Sequence, residues 1–261
     1  MIENTRNIKI QELAEFIATE QNSTITPLEV IAREENIKII YDSYEDAFDG
    51  ISVFDTEYYV HLNTDRGNLE NTPRGRFTLA HELGHYFIDS HRQALLNGQF
   101  PHPSHLLDNR NNSIEREADC FASSLLMPTE RLNNICFKHS FDYSILKKIS
   151  NSFNVSITAA ALRFVEIGNH PICVIFSQNN KPLWYRFSND FHYKRLLHDK
   201  TKIPINTLAG DYFNKGIKTV EETIIDAGDW FYCYTEESKE NEIIEKVIIG
   251  PNHSVLSIIW E

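Results

Sequence analysis

Phe77-Thr78-Leu79-Ala80-His81-Glu82-Leu83-Gly84-His85 is the stretch on which the reading of this chain turns. His81 to His85 spell H-E-x-x-H, and the apolar residues around them recur at helical spacing. On an α-helix, positions four apart lie about 40° apart around the axis, so His81 and His85 project from one face. Two imidazoles on one face can grip a single divalent cation. Glu82, about 100° from His81, can still reach a water held there. The alternative is a solvated helix that carries two histidines by chance, and the flanking sequence decides between the two.

Pro73 suits a helix start, so the motif helix is predicted over residues 74–90. Residues 92–112 contain Gly98, Pro101, Pro103 and a cluster of Asn and Asp, which predicts a long loop. His91, His102 and His105 lie in or beside it and are expected to be exposed, with a substrate-facing role as the sharper reading. The next helix runs from Ser113 to Met127, with Ala118, Phe121, Ala122 and Leu125 as its apolar stripe. Glu115 and Asp119 are an i, i+4 pair on one face of it. A carboxylate from a second helix is the third protein ligand that a catalytic zinc site needs, so Glu115 joins His81 and His85 as a candidate ligand. Asp119, one turn on, could accept the free ring N–H of a ligating histidine. Glu117 falls on the opposite side and is expected to be a solvated charge.

Upstream, Ile8, Ile10, Leu13, Phe16 and Ile17 predict an amphipathic helix over residues 8–18. Thr26 is a candidate N-cap for a short helix at Pro27, with Leu28, Ile31 and Ala32 on one face. Strands are predicted at 37–41, 51–54 and 58–62. Downstream, helices are predicted at about 130–139, 142–152 and 156–167. The last two, joined through Asn154, look like a helix-turn-helix. Arg131, Lys138, Lys147, Lys148 and Arg163 there stand against Asp142 and Glu166, a thinner basic face than DNA readers carry, so packing is the expected role. After Gly168 the pattern turns to strands at 172–176, 183–187, 217–223, 230–234, 245–249 and 254–259, with a short helix between 205 and 215.

The fold class expected is α+β, in three parts: residues 1–128, a helical segment at 129–168 and a mixed α/β domain at 169–261. The chain has 261 residues and a formal net charge of −12, which opposes non-specific binding to nucleic acid or anionic membrane. No membrane span or secretory leader is expected. The four cysteines are scattered, with no C-x-x-C pair; Cys120 and Cys173, in apolar runs, fit buried free thiols, and a cytoplasmic location is the default expectation.

Arg76 to His85, then Glu115-Arg116-Glu117-Ala118-Asp119-Cys120-Phe121-Ala122, then Leu125-Leu126-Met127-Pro128 together resemble the ImmA/IrrE family of bacterial zinc metallopeptidases. The resemblance covers roughly residues 8–165 and rests on three separated motifs in order. It implies a zincin-like domain in which His81, His85 and Glu115 bind Zn2+ (Mn2+ as the alternative in the cell) and Glu82 is the general base. The family usually shows Asn where this chain has Asp119; the E-x-x-x-D form is similar to the thermolysin-like gluzincins, where the Asp orients a ligating His. The position of the last 90 or so residues resembles the GAF-like sensor domain of IrrE-type proteins.

The resemblance further implies an endopeptidase that cleaves a helix-turn-helix (XRE-type) transcriptional repressor in a stress or mobile-element response. Zinc would lower the pKa of its water towards ~7, and Glu82 would take that proton and pass it to the leaving amine. Tyr58, Tyr59 and the loop histidines are candidate oxyanion donors. The rival reading is a metal-containing DNA-binding or ligand-sensing regulator without peptidase activity. Direct DNA binding is not expected, and the oligomeric state is open.

Overall fold

A computed structural model describes residues 2–45, 49–98, 113–137, 140–197, 201–218 and 221–261. They form an α+β protein with two sheets. The chain divides into two compact units, Met1–Ile135 with Lys148–Ser156, and Cys136–Lys147 with Ile157–Glu261. Among the described residues no helix is long and apolar enough to cross a membrane.

The first unit opens with helices α1 (Ile2–Glu20) and α2 (Leu28–Glu34). Strands β1 (Ile37–Asp42), β2 (Gly50–Phe54) and β3 (Glu57–Asn63) follow, then α3 (Pro73–Phe87), α4 (Asp89–Leu96), α5 (Ser113–Leu126) and α6 (Thr129–Cys136). The sheet order is β1-β3-β2, with β1 parallel and β2 antiparallel to β3, so β2 is an edge strand. The face of α1 that is buried is Ile10, Ala14 and Ala18, whereas Ile8 and Phe16, expected in the apolar stripe, are exposed. The alanines at i+4 and i+8 of this face, Ala14 and Ala18, let α1 lie close to a neighbouring helix, and a large ring there would hold it off. Thr26 does not cap α2; its hydroxyl donates to the Leu125 carbonyl of α5 at 2.8 Å.

Helix α3 is entered tightly. The Thr72 hydroxyl accepts from the Gly75 N–H at 3.1 Å, and a Cβ on Gly75 would sit 2.2 Å from the Leu69 carbonyl oxygen. That contact is with backbone and cannot be relieved by a rotamer change. Gly75→Ala is therefore expected to destabilise the unit by about 2 kcal/mol, a fall in Tm of roughly 4–8 °C, measured by thermal denaturation.

The second unit contains α8 (Ile157–Ile167), which follows α7 (Tyr143–Phe153) after a turn in which Asn154 has φ 50°. Its five-stranded sheet has the order β5-β4-β8-β7-β6, built from β4 (Ile172–Gln178), β5 (Lys181–Phe187), β6 (Thr223–Asp226), β7 (Glu242–Gly250) and β8 (Ser254–Trp260). One face carries Cys173, Ile175, Ile243, Val247, Val255 and Ile259. They pack with Phe191, Leu196, Ile203 and the residues Leu208 and Ala209 of helix α9 (Leu208–Lys215).

Two predicted strands are not there. Residues 223–226, not 217–223, form the edge strand β6, and 219–220 lie outside the described residues. The 230–234 segment is not a strand: Trp230 closes the short helix α10 (Ala227–Trp230), and Phe231 makes only an isolated bridge to Leu196. Both rings are 1% exposed, and two consecutive inward side chains are incompatible with the alternation of a strand. A second short helix, α11 (Glu236–Lys239), precedes β7 and is started by a Thr235–Ser238 capping box. Glu245 of β7 is fully buried and accepts from the Leu208 N–H at 2.7 Å, satisfying the N-terminus of α9. Burial pushes its carboxyl up to about 7.

Candidate metal centre

The metal-motif helix is shorter than predicted. It ends at Phe87; Ile88, at φ −78° and ψ 108°, breaks it, and α4 starts at Asp89. Asp89 and Ser90 are weak helix-interior residues because their side chains compete for backbone groups. The expected loop therefore begins later: 89–96 is helical, and 99–112, with His102 and His105, lies outside the described residues.

Helices α3 and α5 meet at Gly84. A Cβ there would lie 3.2 Å from Phe121 Cβ and 3.3 Å from Ala118 Cα, so the missing side chain is what lets the helices approach. That approach brings His81 and His85 of α3 against Glu115 of α5, and all three are buried.

His81 Nε2 lies 3.1 Å from Glu115 Oε2 and 3.1 Å from His85 Nε2, while His85 Nε2 lies 3.7 Å from Glu115 Oε1. In a tetrahedral shell with bonds near 2.0–2.1 Å, neighbouring donor atoms are about 3.3 Å apart. The two nitrogens and the Glu115 carboxylate, approached by His81 at Oε2 and by His85 at Oε1, thus lie near the spacing of three corners around one small cation. The residues present fit such a cation with little movement.

His81 is oriented from behind by Asp119, whose Oδ1 lies 2.9 Å from Nδ1, so Nε2 is the nitrogen turned to the centre. Burial opposes a positive charge on His81. Hydrogen bonds to Asp119 and Glu115 outweigh it and hold His81 well above the usual histidine range. His85 is driven well below that range by burial and by the neighbouring charges of His81 and His91.

Glu82 is 1% exposed and its Oε1 has no hydrogen-bond partner, while the carboxylate accepts from the backbone N–H of Ile51 in β2. Burial pushes its carboxyl up to about 7; the His81 charge pulls it down, and Glu115 and Asp49 push it further up. For a carboxylate raised from 4.5 to about 7 in the fold, ionisation costs stability. The cost is absent below about pH 4.5, grows as pH rises, and is complete above about 7, reaching on the order of 1–3 kcal/mol. Metal-free Glu82→Gln is therefore expected to melt above the wild-type protein at pH 8, with the gap closing at pH 5. An equal gap at both pH values contradicts the burial of an ionisable group there.

Two residues expected at the surface belong to this centre. Glu117 is not a solvated charge: it is buried, and the Arg6 guanidinium binds it with Nε at 2.6 Å from Oε1 and Nη2 at 2.7 Å from Oε2. His91 is not an exposed loop histidine. It is 2% exposed on α4, with Nε2 3.0 Å from Glu117 Oε2 and Nδ1 3.2 Å from His85 Nδ1. A single sequence holds no spacing signal for His91, because the break at Ile88 is what turns it inward. Cys120 is half-buried, not buried. Among the candidate oxyanion donors, the Tyr59 hydroxyl donates to Glu57 at 2.6 Å and Tyr58 packs edge-on against Tyr86.

No curated protein matches the sequence. Among solved structures, the fold is similar to that of a Mycobacterium tuberculosis transcriptional regulator with a TM-score of 0.62. The match covers 100% of this chain and 81% of that one at 12% identity, a likeness of fold alone. The family model for the IrrE N-terminal-like domain, Peptidase M78, matches residues 32–165, which include both helices of the centre. Over that half of its length the chain carries the motifs that resemble ImmA/IrrE proteins, and it belongs to the IrrE N-terminal-like (Peptidase M78) family.

Proposed function

We propose that this chain is a zinc-dependent endopeptidase that cuts a helix-turn-helix transcriptional repressor and so relieves repression in a stress or mobile-element response. The observation that carries the peptidase reading is Glu82. A structural cation site has no use for a further buried acid with a partnerless oxygen beside its three ligands. His81, His85 and Glu115 would hold the cation, and their two-nitrogen, one-oxygen donor set suits zinc, with manganese as the alternative in the cell. When bound, it supplies Lewis acidity that polarises the scissile carbonyl and acidifies the attacking water.

The chain's own residues supply the proton chemistry. Glu82 takes the proton of the attacking water on its free oxygen and returns it to the leaving amine. Burial, which raises this carboxyl to about 7 in the metal-free protein, favours its taking up that proton. The Ile51 N–H bonds the carboxylate, so it is aimed before substrate arrives. Ile51 lies on β2, whose outer edge is unpaired among the described residues, and an extended peptide added there would run past Glu82.

The repressor substrate is supported by the family resemblance. The likeness to a protein described as a transcriptional regulator favours a second reading, a DNA-binding or ligand-sensing regulator without peptidase activity. The net charge of −12 counts against direct DNA contact. Co-expression with helix-turn-helix repressors from the same genome separates them. Two fragments of one repressor, seen by intact mass, support the peptidase. An intact repressor together with a salt-dependent shift of duplex DNA supports the regulator.

A further inference from the structure

We propose that His91 and Glu117 form an outer relay that fixes the ring orientation and tautomer of His85, so that cation retention depends on two residues outside the His81–His85–Glu115 set. The inference rests on the reading of that set as a metal centre.

His85 Nε2 faces His81 Nε2 at 3.1 Å and Glu115 Oε1 at 3.7 Å, so it is the nitrogen turned to the cation and must carry a lone pair. The ring proton of His85 is then on Nδ1, 3.2 Å from His91 Nδ1. Two ring nitrogens at that distance form a hydrogen bond only if one donates and the other accepts. His85 donates, and His91 accepts through Nδ1. The His91 proton is therefore on Nε2, which donates to Glu117 Oε2 at 3.0 Å. The fork of Arg6 closes the chain on the same carboxylate. From His85 through His91 donation runs one way to Glu117, and Arg6 donates to that carboxylate from the other side, so every donor along the line meets an acceptor.

The two ligand histidines are thus held differently. His81 is backed by Asp119 directly, a carboxylate whose side chain is 56% exposed. His85 is backed through a second imidazole by a carboxylate, with side chains 2% and 10% exposed. The backbone makes this contact through the break at Ile88. On an unbroken helix, position 91 would lie about 120° around the axis from position 85, facing elsewhere. The plainer account is that His91 fills space and Arg6–Glu117 ties α1 to α5. It predicts changes in melting temperature with cation binding unchanged.

The test uses the whole chain, with zinc affinity by chelator competition, the cobalt(II) absorption spectrum, and the melting temperature of the metal-free protein. His91→Leu is expected to weaken zinc binding about 10–100-fold and to shift the cobalt bands. His91→Gln, which can accept from His85 and donate to Glu117, is expected to recover most of both. Arg6→Met is expected to lower the melting temperature and leave the cobalt spectrum in place. Zinc affinity and cobalt bands in His91→Leu equal to wild type would overturn the relay. So would an affinity loss that follows only the melting temperature across all three variants. Ring-nitrogen NMR of the wild-type chain decides the matter if His91→Leu does not fold: Nδ1–H on His85 with Nε2–H on His91 supports the relay, and Nδ1–H on His91 overturns it. A wild-type chain that takes up no cation sinks the metal reading instead, and the ring-nitrogen spectrum of that protein still judges the relay.

Discussion

Glu82→Gln is expected to keep the cation and lose cleavage. Glutamine has the same shape, can still accept from the Ile51 N–H through its carbonyl oxygen, and leaves His81, His85 and Glu115 untouched. What it removes is the ability to take a proton and give it back. General acid–base groups contribute about 10²–10⁴ in rate, and a base used for both the attack and the departure of the amine falls at the upper end. The turnover of repressor should therefore drop by about 10³-fold or more, with zinc content per chain unchanged. The variant also separates chemistry from folding, because the metal-free protein should be more stable at pH 8 than the wild type. Loss of cleavage in a more stable protein that still holds zinc has no explanation in misfolding.

Glu115→Ala is expected to empty the centre. His81 and His85 come from adjacent turns of one helix, and two such nitrogens leave half of a tetrahedral shell to water. Glu115 would be the ligand that α5 contributes across the Gly84 contact, and the two carboxylates beside it on α5 are engaged elsewhere, Asp119 on the far side of His81 and Glu117 on His91. Zinc affinity should fall by more than 100-fold, beyond the 10–100-fold range for outer partners, with the metal-free melting temperature within a few degrees of wild type. Metal analysis of dialysed protein reads the result directly. Zinc retained at one ion per chain in Glu115→Ala would mean that the cation sits elsewhere.

Much of this centre was legible in the sequence because helical geometry is local. The four-residue spacing of His81 and His85, and of Glu115 and Asp119, places each pair on one face whatever the tertiary structure. The strands at 37–41, 51–54 and 58–62 were readable from β-branched and aromatic runs, and each extends by only a residue or two in the fold. What was not legible depends on how separate elements meet. Nothing local distinguishes the buried Glu117 from the exposed Arg116 beside it; the guanidinium of Arg6, 111 residues away, makes the difference. His91 is turned inward by a break in the helix that apolar periodicity runs straight across. In α1 the largest apolar side chains suggested the stripe, but the buried face is set by alanines at close-approach positions. In the second unit, Trp230 and Phe231 read as a strand because they are aromatic, and Ala227-Gly228-Asp229 turns them into a helix end with both rings inside.

The central claim is that cation-dependent hydrolysis takes place at His81, His85 and Glu115 with Glu82 as the base. The most direct measurement is repressor cleavage by the purified chain after the cation is stripped with a chelator and then restored. No fragments are predicted from the stripped protein, and full cleavage is predicted to return at one equivalent of zinc per chain. Cleavage at an undiminished rate by the stripped, metal-free chain would contradict the account.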